Sequence, residues 1–458
     1  MKHLSRELNQ LISRSVDSHV RIAVTGLSRA GKTAFISSLV NQLLHISTHD
    51  NLPLLASARD KRVVGARREP QINMMVPRFG YDEAMNQLFS PTPAWPEPTR
   101  DVSEIRLALK YKPIKKTKKL FSSTSVLHLD IVDYPGEWLL DLPLLNLDFH
   151  QWSQTQFAAL KGLRGELAKD WLDKLEYLSL SAEVDEKRLE DISKAYTRYL
   201  HDCKNRGLHW VQPGRFVLPG ELEGAPVLQF FPCQYNEEEK VPKGSNLAML
   251  MARYQEYQQK VVKAFYKHHF STFDRQIVLV DCLQPLNAGD ESFLDMRHAI
   301  EQIMHSFRYG KSNILKRLFS PRIDKILFAA TKADHVTPEQ HPHLVSLLQQ
   351  MVHPAWQNAA YDNIEMSCMS IASIQATQSG FIDVNGQSMP AIQGTSADGS
   401  MLTIFPGEVP TKLPPPDFWL NNKFNFYSFR PISESVDEPL PHIRMDKVLE
   451  YLIGDKLR

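Results

Sequence analysis

Apolar and polar positions fall into two recurring patterns along the chain. Short apolar stretches at His19–Thr25, Glu104–Tyr111, Val126–Val132, Gln276–Cys282, Lys325–Ala330 and Ile364–Met369 predict strands. Several are nearly continuous, as in strands covered on both faces of a mostly parallel sheet. Longer stretches with helical spacing lie between them, so the predicted core is α/β, with helices on both faces of the sheet. The second and third strands are joined by only a short segment, which predicts an antiparallel hairpin at one edge.

Other stretches do not fit that alternation. From Trp138 to about Phe273 the pattern is mainly helical, as in "QTQFAALKGLRGELAKDWLDKLEYL", and predicts an inserted helical subdomain. Within Gly380–Pro410, "FIDVNGQSMPAI" carries Asn385-Gly386, a hairpin signal, and predicts a small β-hairpin insertion. A Pro-rich bridge, the aromatic stretch "FWLNNKFNFYSFRP" and a closing helix near Arg444–Leu457 follow. The aromatics are expected to pin the carboxyl-terminal arm to the core. The expected divisions are 1–137 and 274–379 for the two parts of the core, 138–273 for the helical insertion, and 380–458 for hairpin, arm and closing helix. At the amino end, Leu4, Leu8, Leu11 and Ile12 share one face of a predicted helix over Met1–Val16, suited to packing on its own core first and to a membrane surface second.

Composition changes this picture little. A chain of 458 residues with 23% charged side chains and a net charge of +1 is ordinary for a globular protein and gives no sign of specific nucleic-acid binding. Four scattered cysteines without a CxxC pair fit a reducing compartment, and neither a signal-peptide core nor a membrane-length apolar run is present. The expected location is cytoplasmic. Six lysines in "LKYKPIKKTKKLF" leave open a peripheral contact, through Lys110–Lys119, with the anionic inner membrane or an acidic partner, beside the plainer reading of a solvated loop.

The chemistry is concentrated in short motifs. Gly26-Leu-Ser28-Arg29-Ala30-Gly31-Lys32-Thr33 matches G-x-x-x-x-G-K-[ST] between a strand and a helix. Glycines let the backbone wrap so that its N–H groups, through Ala34, point at phosphate oxygens from a helix amino terminus. Lys32 would reach the β/γ-phosphates, and the Thr33 hydroxyl would bind Mg²⁺. Ser28 and Arg29 occupy the γ-phosphate side. Asp133-Tyr-Pro-Gly136 ends the third strand, where a carboxylate would hold Mg²⁺ and the Gly136 N–H would touch the γ-phosphate. Thr331-Lys332-Ala333-Asp334 ends the fifth. Guanine presents a ring N–H beside an exocyclic amine, and one carboxylate accepts from both; adenine has no such pair. Lys332 would lay its stem along the base, and Thr331 would tie this loop to the phosphate loop. Ala372 and Ser373, after the sixth strand, would offer backbone to the guanine O6. Thr99 is preferred over Thr92 as the threonine covering Mg²⁺ and the γ-phosphate. Glu137, directly after Gly136, would either polarise an attacking water as a base or merely bond within its loop.

With these motifs in order, the chain resembles the YcjX-like family of bacterial stress-associated P-loop GTPases. The likeness rests on "GLSRAGKTAF", "PTRDVSEIRL", "DIVDYPGEWLLDLP", "DCLQPLNAG", "TKADHV" and "SIASIQAT". It implies GTP binding, slow hydrolysis to GDP with Mg²⁺, a helical insertion, an unidentified protein effector and a stress-related role. A GTP-binding scaffold with negligible hydrolysis and, less favoured, a P-loop ATPase are the alternatives.

Overall fold

A computed structural model describes residues 18–27, 29–98, 101–114, 123–238, 240–307, 323–361, 364–384, 386–433 and 435–458. Two compact units divide the chain. The sheet unit comprises Met1–Tyr134, Phe273–Leu283 and Arg322–Arg458; the helical unit comprises Pro135–Thr272 and Gln284–Pro321.

In the sheet unit, strands β1 (Ser18–Gly26), β2 (Val63–Glu69), β3 (Ser103–Tyr111), β4 (Ser125–Asp133), β5 (Arg275–Val280), β6 (Lys325–Ala330) and β7 (Glu365–Ser370) form one sheet in the order β2-β3-β4-β1-β5-β6-β7. Pairings from β4 through β7 are parallel; β3 runs against both its neighbours, so the expected hairpin is β3–β4. Strand β2 escapes the apolar pattern because it is an edge strand. It carries Arg67 and Arg68 outward and a register break between Val63 and Gly65, features that discourage edge pairing.

One face of this sheet is built by alternation. Val20, Ile22 and Val24 of β1, Leu107 and Leu109 of β3, and Leu127, Leu129 and Ile131 of β4 pack into one cluster. Helix α1 (Lys32–His45) contributes Phe35, Ile36, Leu39, Val40 and Leu43 to that cluster. The unit also contains α2 (Tyr81–Leu88), α3 (His341–Tyr361) and α4 (Met445–Ile453). The closing helix α4 joins the cluster through Val448, Leu449 and Leu452. Arg275, fully buried at the start of β5, anchors the chain beyond α4 by pairing with Asp455 at 2.5 Å and with Asp324 at 3.1 Å. The predicted hairpin is enlarged to three antiparallel strands, β8 (Thr377–Val384), β9 (Gln387–Thr395) and β10 (Met401–Ile404). Asn385 of its turn lies outside the described residues, as do Met1–Asp17 and 115–122 of the basic loop.

The helical unit has its own core. Trp152, Trp171, Tyr196, Phe216, Phe230, Tyr254 and Tyr257 are buried in mutual ring contact. Its helix Phe149–Ala158 starts at a capping box formed by Asp148 and Gln151. Residues 284–307, expected within the second part of the core, group with this unit instead. Helix Asp290–Phe307 is the reason: its Asp295 accepts from Arg164 at 2.5 Å and from the His209 and Trp210 N–H groups at 2.5 and 2.9 Å. Among the described residues, no helix is long and apolar enough to cross a membrane.

Candidate functional site

Chain order reverses around β1. The chain builds β2–β4 on one side of it and β5–β7 on the other, and the crevice outside the carboxyl end of such a strand is where ligands of open α/β sheets bind. The phosphate loop leaves β1 at that point. Gly26 pairs with Leu279 of β5, and a Cβ there would stand 2.7 Å from the Leu279 carbonyl oxygen; only glycine fits. Two residues of the loop are left-handed, Gly31 at φ +82° and Arg29 at φ +63°. For arginine that conformation costs roughly 1 kcal/mol, the kind of local strain that collects at functional loops. Helix α1 then begins with no side-chain cap and no acidic residue in its first turn. An anion is the natural partner for such a terminus. Lys32 folds back over the loop, its Nζ 3.4 Å from the Gly26 carbonyl oxygen. Ala30 and Ala34 are buried beneath. Ser28 lies outside the described residues.

Thr33 Oγ1 donates to the Glu97 carbonyl at 3.1 Å, so the segment leading to β3 lies over the phosphate loop. Gln87 of α2 holds that segment, accepting from the Glu97 N–H at 3.2 Å through its side chain and from the Ala94 N–H at 3.1 Å through its carbonyl. Thr99 and Arg100 follow it and are outside the described residues, while the Thr92 carbonyl accepts from Ser90 Oγ at 2.6 Å. Asp133 is fully buried at the end of β4, in register with Val24. A hydroxyl and a carboxylate are hard oxygen donors. No cluster of three or more His, Cys, Asp or Glu that could hold a metal exists among the described residues. That set fits Mg²⁺, which takes one or two protein oxygens and completes its shell with water and phosphate.

Gly136 and Glu137 open the helical unit, in a 3₁₀ helix spanning Gly136–Asn146. Glu137 is 5% exposed, and its carboxylate pairs with Lys204 at 2.8 Å. Its backbone carbonyl is packed by Gly214, where an added Cβ would approach to 2.0 Å. Asp141, one turn on, accepts from the Gly214 N–H at 2.8 Å, the Arg215 N–H at 3.3 Å and the Tyr257 hydroxyl at 2.5 Å. Burial nevertheless pushes its carboxyl up to about 7.

The loop after β6 is shaped by Lys332, left-handed at φ +60°. Its Nζ pairs at 2.6 Å with Asp281, the buried carboxylate just beyond β5. Thr331 is tied to β5 and not to the phosphate loop: its N–H and hydroxyl both go to the Val280 carbonyl, at 2.9 and 3.4 Å. Asp334 is 6% exposed; its Oδ2 accepts from the Ala376 N–H at 2.7 Å. Neighbouring His335 is buried, which lowers its pKa and keeps the ring neutral beside that carboxylate.

The loop after β7 departs from expectation at one residue. The Ala372 N–H donates to the Ile443 carbonyl at 3.2 Å and the Ile443 N–H returns the bond at 2.8 Å, so Ala372 has no free donor for a base. Ser373 differs: its carbonyl accepts from Ser38 Oγ at 2.5 Å, and its N–H has no partner among the described residues. The carboxyl-terminal arm stitches this loop in place. The Gln375 N–H bonds the Pro441 carbonyl and the Ile432 N–H bonds the Gln375 carbonyl, while Phe429 is buried with its ring edge against His335. Asp281, Gln87 and Glu97 were not singled out from the sequence. Asp281 carried the same signal as Asp133, an acid ending a buried apolar run; Gln87 and Glu97 carried none.

Fold and site together define an α/β protein of the P-loop GTPase type. The chain belongs to the YcjX-like family, DUF463, whose pattern it matches over residues 20–457. It is 56% identical over 465 residues to the Ras-like GTPase YcjX of Escherichia coli (strain K12), covering all of both chains. It is 45% identical over 474 residues to the Ras-like GTPase YcjX of Shewanella oneidensis, covering 99% of this chain and 98% of that one.

Proposed function

We propose that the chain binds a guanine nucleotide and slowly hydrolyses GTP to GDP with Mg²⁺, its nucleotide state acting as a switch. The observation that carries this reading is the placement of the Gly26–Thr33 loop and the Thr331–Asp334 loop at carboxyl ends of strands of one sheet, with only β5 between β1 and β6. The relatives' shared description as Ras-like GTPases supports it. The family resemblance supports a stress-related setting.

In this reading the loop N–H groups and Lys32 bind the phosphates. Thr33 and Asp133 would hold Mg²⁺, which supplies charge neutralisation at the β- and γ-phosphate oxygens. Thr99 and Gly136 would cover the γ-phosphate. Asp334 would accept from the two guanine donors: its Oδ2 already holds the Ala376 N–H, and a carboxylate keeps further acceptor sites. The Ser373 N–H, in place of Ala372, would serve the guanine O6. Glu137 is bound to Lys204, which supports slow intrinsic turnover because the residue after Gly136 is engaged elsewhere.

That same ion pair favours the second reading, a GTP-binding scaffold with negligible hydrolysis. Phosphate release from GTP over hours separates the two. Hydrolysis predicts release by the wild type that Lys32→Ala abolishes. Equal, background release from both chains would leave the scaffold.

A further inference from the structure

The strongest unassigned feature is the carboxylate of Asp281. It is 2% exposed, just past the end of β5, between the strands that carry the phosphate loop and the Thr331–Asp334 loop. One oxygen accepts the Leu283 N–H at 3.0 Å, which fixes the carboxylate; the other pairs with Lys332 Nζ at 2.6 Å. Lys332 is 38% exposed along its side chain and sits on a left-handed backbone at φ +60°. A long, half-exposed lysine ordinarily samples many rotamers, and ordering it on binding costs affinity.

We infer that Asp281 is a positioning residue for nucleotide binding: it holds Lys332 in the orientation in which its stem lies against the base. This rests on the proposed guanine-nucleotide site and deepens it. The left-handed backbone sets the direction in which the lysine leaves the chain, and the ion pair fixes its far end. The methylenes between form a preset wall, so the ordering cost is met in the free protein rather than at binding. Asp281 does not reach the nucleotide itself; its effect on binding passes through Lys332.

The prediction is therefore one of non-additivity. GDP affinity is measured by displacement of a fluorescent GDP from the full chain, for wild type, Asp281→Asn, Lys332→Met, and the double variant. Lys332→Met keeps the stem but removes the ammonium that Asp281 grips; because it leaves that buried carboxylate without its ionic partner, ligand-free melting of this variant is recorded as well. Each single variant should weaken GDP binding about tenfold, the scale of immobilising one such side chain. The double variant should be no weaker than the weaker single one. Multiplying losses, about a hundredfold in the double variant, would overturn the inference, because Asp281 would then act independently of the lysine. An unchanged affinity in Lys332→Met would overturn it too, and does so even where Asp281→Asn fails to fold, which ligand-free melting reveals. A wild-type chain that binds no GDP refutes the parent reading instead, a result distinct from either.

Discussion

In the sheet unit the buried carboxylates Asp133, Asp281 and Asp334 stand at or just beyond carboxyl ends of strands, while Asp130, inside β4, pairs with Arg106 at 3.2 Å and with His19 at 2.5 Å. In the helical unit the buried carboxylate Asp141 is ringed by three donors of its own unit, and the largely buried Asp295 by four contacts from Arg164, His209 and Trp210. The same residue type, at similar burial, occupies two kinds of place. A buried acid wrapped in its own unit's donors holds that unit together, because removing it strands every donor. A buried acid at a strand end stands instead beside the crevice in which ligands of open α/β sheets bind.

The comparison breaks most visibly at Asp334. Asp334→Asn should reduce the preference for guanine over adenine nucleotides by about 10⁴-fold, since one oxygen is replaced by a donor facing the base's donors. Competition of ATP against labelled GTP measures this, and melting of the ligand-free chain should hardly move. Asp295→Ala should do the reverse. It strands the Arg164 guanidinium and two backbone N–H groups, and the helical unit should lose about 3–5 kcal/mol in denaturant unfolding while isolated GDP binding persists below the transition. Leu39→Ala, in the apolar cluster beneath the phosphate loop, should cost about 2–5 kcal/mol. It should weaken nucleotide binding only as far as the sheet unit unfolds.

The smallest effect is a difference in pH response. Asp141 has its pKa raised to about 7 by burial, above the unfolded value near 4, so the stability it contributes is full below about pH 4 and is lost as pH rises through about 7. His335 and His341 of the sheet unit have pKa values lowered by burial, so theirs is full above pH 6.5 and is lost as pH falls below it. Asp141→Asn should therefore gain on the wild type by a few degrees in Tm between pH 6 and pH 8. A Tm difference that stays flat across that range would remove Asp141 from the pH response.

Much of the sheet unit was legible because its signals are local. Six strands showed as apolar runs, and the phosphate loop showed because glycine is forced at Gly26 by the approach of Leu279. Strand β2 did not show, since an edge strand bearing exposed Arg67 and Arg68 has no apolar run. Residues 284–307 were grouped differently because their helix is fixed by Arg164, 131 residues away from Asp295 in the chain. The engagement of Ala372 with Ile443, and of Thr331 with Val280, is likewise set by tertiary pairing that no short motif encodes. Glu137 follows the D-x-x-G glycine in sequence, but its burial against Lys204 is a property of the helical unit's packing.

Calorimetric titration of the full chain with GDP and with ADP, in the presence of Mg²⁺, decides whether the crevice distinguishes guanine from adenine. GDP should bind, and ADP should bind about 10⁴-fold more weakly or worse. Equal binding of the two, or no heat from either, would contradict the proposed guanine site.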